Sequence, residues 1–432
     1  MNSIWVENSH FPKFETLKKD INTDVLIIGG GICGILTAHM LDALGVDYVL
    51  VEADEICKKT TSNTTAKITS QHGLIYKKLT KEFNKNFAKS YYDANEKAIK
   101  EYDRLCETID CDYEKCSSFI YSMHDVKSIF EEQEALNCLG INSIFSKNCE
   151  LPFEIRGALG FENQRKFNPL KFLSAICRNL KIYEHTRVMK IEKTSAFTEG
   201  FSINANKIIV ATHFPFINKH GFYYLKMFQE RSYVIALKNA PIYEGMYLDE
   251  NDGGLSVRNY GKYLLLGGGS HRTGKESPGW LGLEHTARKY FPDAKITNRW
   301  ATQDCITLDG VPYIGRYSAF TPNVYVATGF NKWGMSSSMV AAKLLSELVT
   351  EGRAEYEEIF SPSRTVLRPQ LAKNAIEAVR GWVGFGHKRC SHLGCKLSWN
   401  KHERTWDCSC HGSRFDKNGT LIDNPANKNL DK

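Results

Sequence analysis

Asp24-Val25-Leu26-Ile27-Ile28-Gly29-Gly30-Gly31-Ile32-Cys33-Gly34 is the stretch that decides the fold. Its apolar opening reads as a buried parallel strand. The glycines follow at the spacing Gly29-x-Gly31-x-x-Gly34, and Ile35, Leu36, Ala38, Leu41 and Leu44 then recur at helical spacing. A second apolar strand, Tyr48-Val49-Leu50-Val51, ends in the acid Glu52. Strand, tight turn, helix, strand and acid in this order form a dinucleotide-binding fingerprint in its required context. Gly29 makes the turn, Gly31 admits backbone amides to a pyrophosphate, and Gly34 lets the helix pack on the strand. The helix N-terminus stabilises the phosphate charge, and Glu52 accepts hydrogen bonds from a ribose.

The chain has 432 residues, 42% hydrophobic and 24% charged, which suits a globular protein of two or three domains. The net charge of +7 is spread over lysine-rich amphipathic stretches such as residues 77–104. That argues for solvated helix faces and against a nucleic-acid partner. No stretch has the length of a membrane span and residues 1–20 carry no apolar signal core, so a soluble, cytoplasmic protein is expected. Of 13 cysteines, nine are scattered through the first 305 residues and four crowd between Cys390 and Cys410. The scattered ones suit a reducing compartment, and Cys106, Cys111 and Cys116 match no metal template.

Outward from the fingerprint, Thr60-Thr61-Ser62-Asn63-Thr64-Thr65-Ala66-Lys67 suits a loop lying against a cofactor. Residues 77–140 read as mainly helical. A strand and turn over 157–167 precede a helix opened by Asn168-Pro169-Leu170 and running to about residue 180. Short strands are expected at 186–191 and 207–212. Residues 221–270 alternate as an antiparallel meander, with Gly267-Gly268-Gly269 as a strand end. Asp309-Gly310-Val311-Pro312-Tyr313-Ile314-Gly315 leads to a further strand, Val324-Tyr325-Val326-Ala327-Thr328-Gly329, then Trp333-Gly334-Met335 and a helix over 337–350.

Together the fingerprint, the Thr-Thr-Ser loop, the Ile-Val-Ala-Thr strand end and the Asp-Gly-x-Pro-Tyr-Ile-Gly segment with its following helix resemble the D-amino-acid-oxidase-like family of FAD-dependent oxidoreductases. This family includes glycine oxidase and sarcosine oxidase, and the resemblance spans roughly residues 20–355. It implies an α/β fold: a Rossmann-type FAD-binding domain (20–80, 150–215 and 300–355) with an α+β antiparallel-sheet substrate domain (81–149 and 216–299). It also implies that Gly29, Gly31 and Gly34 hold the pyrophosphate and Glu52 the adenosine ribose. Thr61, Ser62 and Lys67 would lie along the flavin, Val188 near the adenine, and Gly315, Gly329, Gly334 and Met335 near the ribityl chain and ring. Cys305 is off the usual attachment position, so FAD is expected to be held non-covalently. One position departs from the family. Where glycine-oxidase-like members carry a carboxylate-binding arginine, this sequence has Asp304. An aspartate there suits a cationic amine, or buttresses a loop; Arg258 and His271 are the other candidate substrate contacts.

A linker (356–389), with a short helix over 370–379, leads to Cys390-Ser391-His392-Leu393-Gly394-Cys395 and then Cys408-Ser409-Cys410-His411-Gly412-Ser413-Arg414-Phe415-Asp416. Cys-x-His and Cys-x-x-His supply two thiolates and two imidazoles. That is the donor set of a [2Fe–2S] centre with Cys390 and Cys408 on one iron and His392 and His411 on the other. Tetrahedral zinc uses the same donor types. The pattern resembles a Rieske domain, which implies a disulfide between Cys395 and Cys410. Only Gly381-Trp382-Val383-Gly384-Phe385-Gly386 separates the linker helix from the first ligand loop, so residues 390–432 are expected to form a short Rieske-like domain whose bracing sheet is partly missing.

The expected function is FAD-dependent oxidation of a C–N bond in an amine or amino acid. Electrons pass from FAD to the cluster and on to an unidentified acceptor. The alternatives are an electron-transfer or redox-sensing flavo-iron–sulfur protein without a small substrate, and a flavoprotein stapled by zinc.

Overall fold

The computed structural model describes residues 2–364, 368–383 and 388–431. Strand Ile21–Ile28 runs parallel between Tyr48–Val51 and Ser202–Val210, with Val324–Thr328 and Ile182–Tyr183 extending the parallel sheet on either side. Both faces of the first strand are covered, which is why it reads as an unbroken apolar run. Val25 and Ile27 pack under helices Ile32–Ala43 and Gly334–Glu351. Leu26 and Ile28 pack on the other side with Val188, Ala196 and Tyr223. Asn168 caps helix Pro169–Ile176, its Oδ1 accepting from the amides of Leu170 and Lys171 at 3.1 Å.

A nine-stranded mixed sheet lies beside it. Its order is Lys295–Thr307, Met227–Lys238, Tyr263–Arg272, Ser256–Tyr260, Met246–Asp249, Glu114–Ser122, Gly157–Lys166 and Lys67–Ile68, with Ile144–Ser146 also on Gly157–Lys166. The expected meander forms its antiparallel half. The sheet also takes in Lys67–Ile68, Gly157–Lys166 and the strand through Asp304, which the sequence reading grouped with the FAD-binding domain.

Three local expectations are corrected. Residues 77–140 are not mainly one helical block: between helices Lys85–Cys106 and Lys127–Cys138 runs strand Glu114–Ser122. Its Ile120 and Tyr121 are buried by pairing with Met246–Asp249 and Gly157–Lys166, and this tertiary pairing overrides local pattern. At 186–191 only Lys190–Glu192 finds a partner strand. The triple glycine does not end its strand. Gly269 (φ +66°) sits where one extra residue is accommodated opposite Arg231 and Tyr233, and the strand continues through this bulge to Arg272.

The C-terminal part holds a four-stranded antiparallel sheet, Leu397–Asn400, Thr405–Cys408, Arg414–Phe415 and Leu421–Asp423. The bracing sheet is therefore present. Its strands lie between and after the ligand loops rather than before them. Gly381 and Trp382 belong to the end of helix Pro369–Trp382, longer than expected, and Gly384-Phe385-Gly386 lie outside the described residues. Among the described residues no helix is long and apolar enough to cross a membrane.

Candidate active site and metal centre

A cavity of about 790 Å³ runs from the glycine turn to the nine-stranded sheet. At its near end the backbone fixes the glycines. Gly29 has φ +115°, and a Cβ there would lie 2.5 Å from the Ala211 carbonyl oxygen. A Cβ on Gly34 would lie 1.9 Å from the Gly29 carbonyl oxygen, so the helix can sit this close only with glycine. Gly31 caps helix Ile32–Ala43 in extended conformation and faces the cavity. The Glu52 carboxylate accepts from the amides of Gly30 (2.7 Å) and Asp54 (3.0 Å) at the cavity wall, bracing the turn. Thr61 also lines the cavity and accepts from the Ile32 amide at 3.1 Å. Val188, Gly334 and Met335 line it too.

Lys67 lines the cavity as well, donating to the Tyr247 carbonyl (3.0 Å) and Ser256 Oγ (2.8 Å). Burial and the nearby Arg258 cation bring its pKa down to about 7. Three expected contacts do not line the cavity. Ser62 donates to the Lys59 carbonyl and receives Ser3 on its own. Gly315 faces Pro362, and Gly329 (φ +71°) lets the turn before helix Gly334–Glu351 close onto Thr307. These residues shape the wall from behind.

At the far end, Asp304 is the one expected substrate contact that faces the cavity. Burial pushes its carboxyl up to about 6; Lys332 opposes the shift, and Glu230, its cross-strand neighbour, adds to it. Lys332 is matched to Glu230 at 2.6 Å and to Ser270 at 2.5 Å. Arg258 is turned away and buried, donating to the carbonyls of Thr65 (2.8 Å), Ala66 and Asn259 (3.2 Å). His271 stacks on Tyr233 with ring centroids 5.7 Å apart and contacts the Gly269 carbonyl at 3.0 Å, because the bulge turns it off the cavity face. His72, which no spacing rule marks, does line the cavity. It stacks on Trp333 at 4.9 Å and is held by Tyr91 Oη (2.6 Å) and Ser336 Oγ (2.9 Å).

In the tail, Cys408 ends strand Thr405–Cys408 and Cys390 opens the other ligand loop. The two thiols face each other, and hydrogen bonding between them pulls the Cys390 thiol down and pushes that of Cys408 up. The rings of His392 and His411 stand perpendicular with centroids 4.9 Å apart. His392 Nε2 lies 2.8 Å from Asn218 Oδ1, an acceptor, so Nε2 carries the hydrogen and Nδ1 is a free lone pair. The Nδ1 atoms of both histidines are buried and without a hydrogen-bond partner, which is what bare ligand atoms look like. Burial keeps both rings neutral, at about 4 and about 3. Cys395 and Cys410 form a disulfide with Cα atoms 6.6 Å apart. These residues fit a [2Fe–2S] centre, as the glycine turn fits a dinucleotide.

The tail is seated on the strands that line the cavity. Gln229 Nε2 donates to the His411 carbonyl (2.7 Å) and the Asn424 carbonyl (2.9 Å). Gln303 Nε2 donates to the Gly412 carbonyl (2.9 Å) and to Gln229 Oε1 (2.8 Å). Their neighbours Phe228, Glu230 and Asp304 line the cavity, and so do Asp423 and Asn424 of the tail. Arg231 pairs with Glu403, and the buried Arg414 pairs with Glu403 (2.9 Å), Asp407 (3.1 Å) and Asp423 (2.9 Å). Burial alone would raise Glu403, but Arg231 and Arg414 overcome it and hold it down to about 2. A carboxylate depressed in the fold contributes stability that is complete above its unfolded value of about 4.3 and is lost as pH falls through about 2. Acid titration is thus expected to release the tail between those limits, read as loss of its visible absorption. Arg414→Met, which leaves the buried Asp407 and the half-buried Asp423 without their ion-pair partner while Glu403 keeps Arg231, is expected to cost about 3–5 kcal/mol in a denaturant melt of the holoprotein.

The family profile FAD dependent oxidoreductase (DAO) matches residues 24–348, and the Rieske [2Fe-2S] domain profile matches residues 365–432. The putative Rieske 2Fe-2S iron-sulfur protein YhfW of Bacillus subtilis (strain 168) is 36% identical, over 99% of this chain and 96% of its own length. A 41-residue stretch is 46% identical to the cytochrome b6-f complex iron-sulfur subunit 2 of Trichormus variabilis, covering 10% of this chain and 23% of that protein. In fold, the chain is similar to L-proline dehydrogenase from P. horikoshii (TM-score 0.67, 18% identity, 80% of this chain and 98% of that one). Glycine oxidase from Geobacillus kaustophilus is as similar (TM-score 0.67, 18% identity, 80% and 100%). The Rieske match sets the iron–sulfur reading of the tail above zinc. The chain belongs to the DAO family of FAD-dependent oxidoreductases and carries a [2Fe–2S]-binding Rieske domain at its C-terminal end.

Proposed function

We propose that this chain oxidises a C–N bond of a small amine and hands the electrons to its own Rieske domain for delivery to a separate acceptor. The observation that carries the reading is the shared strand pair: Gln229 and Gln303 hold the cluster loop, while Phe228, Glu230 and Asp304 line the cavity. When bound, FAD would take a hydride from the carbon that bears the nitrogen, leaving an imine, and the cluster would relay the two electrons one at a time. The chain's own residues bind and orient. Gly29, Gly31 and Gly34 admit the pyrophosphate, Glu52 meets the adenosine ribose, and Thr61, Lys67, Gly334 and Met335 border the ring end. Asp304 pairs with the substrate ammonium and takes up its proton, leaving the neutral amine from which the hydride departs. Of the two acids facing each other across the strand pair, Glu230 is already matched by Lys332, and Arg258 is tied to backbone carbonyls and turned away from the site. Glycine oxidase and L-proline dehydrogenase, the similar folds, are named for amino-acid substrates; here an acid at the substrate end favours amines without a nearby carboxylate.

The test is anaerobic bleaching of the flavin band by a panel of amines and amino acids. Asp304 must be ionised to hold an ammonium, so the apparent affinity is expected to rise as pH climbs through about 6. Asp304→Asn should flatten that profile and raise KM about tenfold or more, the loss of one charge-assisted hydrogen bond. Preference for amino acids over amines, unchanged in the variant, contradicts the assignment.

A further inference from the structure

Helix Pro369–Trp382 is folded inside out. Its protein-facing side is polar: Asn374 is buried and donates to the Leu225 carbonyl (3.2 Å), and Glu377 pairs with Lys275 at 2.8 Å. Its solvent-facing side is apolar. Ala372, Ala375, Ile376 (50% exposed), Val379 (57%), Trp382 (55%) and the following Val383 (68%) recur at helical spacing. A soluble helix ordinarily shows the reverse arrangement. This stripe adjoins the cluster. A Cβ on Gly381 would lie 2.3 Å from the Cys410 sulphur, and Trp382 Nε1 donates to the Leu393 carbonyl in the first ligand loop at 2.9 Å. The indole N–H is thus satisfied inside the protein, and the ring can enter an apolar medium without stranding a donor.

Two further exposed aromatics lie by the start of helix Tyr223–Lys226, which packs against helix Pro369–Trp382. Phe222 (55%) contacts Tyr224, whose ring meets His411 at 6.0 Å; Phe320 (83%) meets His220 at 6.2 Å. The charges these segments carry are basic apart from Glu377. Lys373, Arg380, Lys219 and Lys388 are exposed. Glu377 is the one acid on the helix and is already paired with Lys275 and Arg380, while segments 218–224, 318–322 and 388–396 contain no acid. A second copy of the chain would bring these cations against each other, which disfavours self-pairing. A convex apolar stripe with a basic surround is the complement of an anionic lipid interface.

We propose that this face docks the protein on the surface of an anionic lipid bilayer, setting the Rieske loops against it without spanning it. This goes beyond the reading of the active site and needs no electron flow, so the two stand or fall separately. The test is co-sedimentation of the oxidised holoprotein with vesicles of phosphatidylcholine alone or with about a quarter phosphatidylglycerol, at about 50 mM and about 500 mM salt. Binding to the anionic vesicles is expected, about tenfold weaker to neutral ones and weakened by salt. Ile376→Glu with Val379→Glu, and separately Lys373→Glu with Arg380→Glu, should each cost about tenfold or more in partitioning, with flavin and cluster spectra unchanged as the sign of a folded protein. The wild-type lipid and salt dependence stands even if a variant fails to fold. Three results overturn the proposal: no binding to anionic vesicles; a concentration-dependent dimer that the apolar pair of substitutions abolishes; or capture of the wild type by a plant-type ferredoxin, used as an acidic carrier protein, with none by vesicles.

Discussion

Replacing Cys408 by serine is expected to give a yellow protein without iron. The Cys408 side chain is fully buried at the end of strand Thr405–Cys408, against Cys390 and within 4.8 Å of the disulfide sulphurs. A serine hydroxyl is harder, shorter and not ionised at neutral pH, so it does not replace a thiolate ligand, and one sulphur with two imidazoles does not complete the donor set. The cavity residues are untouched, because the tail is held through Gln229, Gln303, Arg231 and Arg272 and not through the ligand atoms. Substrate should therefore still bleach the flavin in a single turnover, while steady-state turnover with a one-electron acceptor falls about hundredfold or more. Iron analysis, the visible spectrum and anaerobic stopped flow read the three parts separately. Turnover at the wild-type rate in iron-free protein would mean that electrons leave the flavin without using the tail.

Gly34→Ala is expected to abolish FAD binding and to destabilise the fold by about 3–5 kcal/mol, at the severe end for a single methyl group. The new Cβ would lie 1.9 Å from the Gly29 carbonyl oxygen, a backbone atom that cannot rotate away. Relief requires helix Ile32–Ala43 to move off strand Ile21–Ile28, which opens the turn that positions the phosphate-facing amides. Gly31→Ala is the informative contrast. Its Cβ would meet only Thr61 Oγ1, at 3.3 Å, and would project at the cavity wall. That variant should fold with a near-normal melting temperature yet bind FAD weakly. Thermal melts with flavin content per chain separate the two: loss of stability with loss of colour for Gly34→Ala, loss of colour alone for Gly31→Ala.

What the sequence made legible and what it did not follow from the range over which each residue's reason acts. The glycine turn and Glu52 could be read because the constraint is local: strand, turn and helix are contiguous, and the spacing itself encodes the close approach. The four candidate cluster ligands could be singled out for the same reason, each loop carrying a cysteine and a histidine within a few residues. Asp304 was found as a departure from a family pattern, and the cavity reaches it. Arg258 and His271 do not reach the cavity because their position on the meander strands leaves open which way each side chain turns. The bulge at Gly269 breaks the strand alternation for His271, and a loop two hundred residues away supplies the carbonyls that claim Arg258. The strand Glu114–Ser122 could not be told from its helical surroundings, since its partners lie at Gly157–Lys166 and Met246–Asp249. Gln229 and Gln303, which join tail to cavity, look like ordinary polar positions on a half-buried strand until the tail is placed against them.

The seating of a cluster loop on the strands that form the cavity is the feature on which the functional account depends. Anaerobic photoreduction of the purified holoprotein, followed together by visible absorption and electron paramagnetic resonance, tests it most directly. The account predicts that the signal of a reduced [2Fe–2S] centre with two histidine ligands rises as light drives electrons into the flavin, without an added mediator. Complete bleaching of the flavin while the iron centre stays oxidised would contradict it.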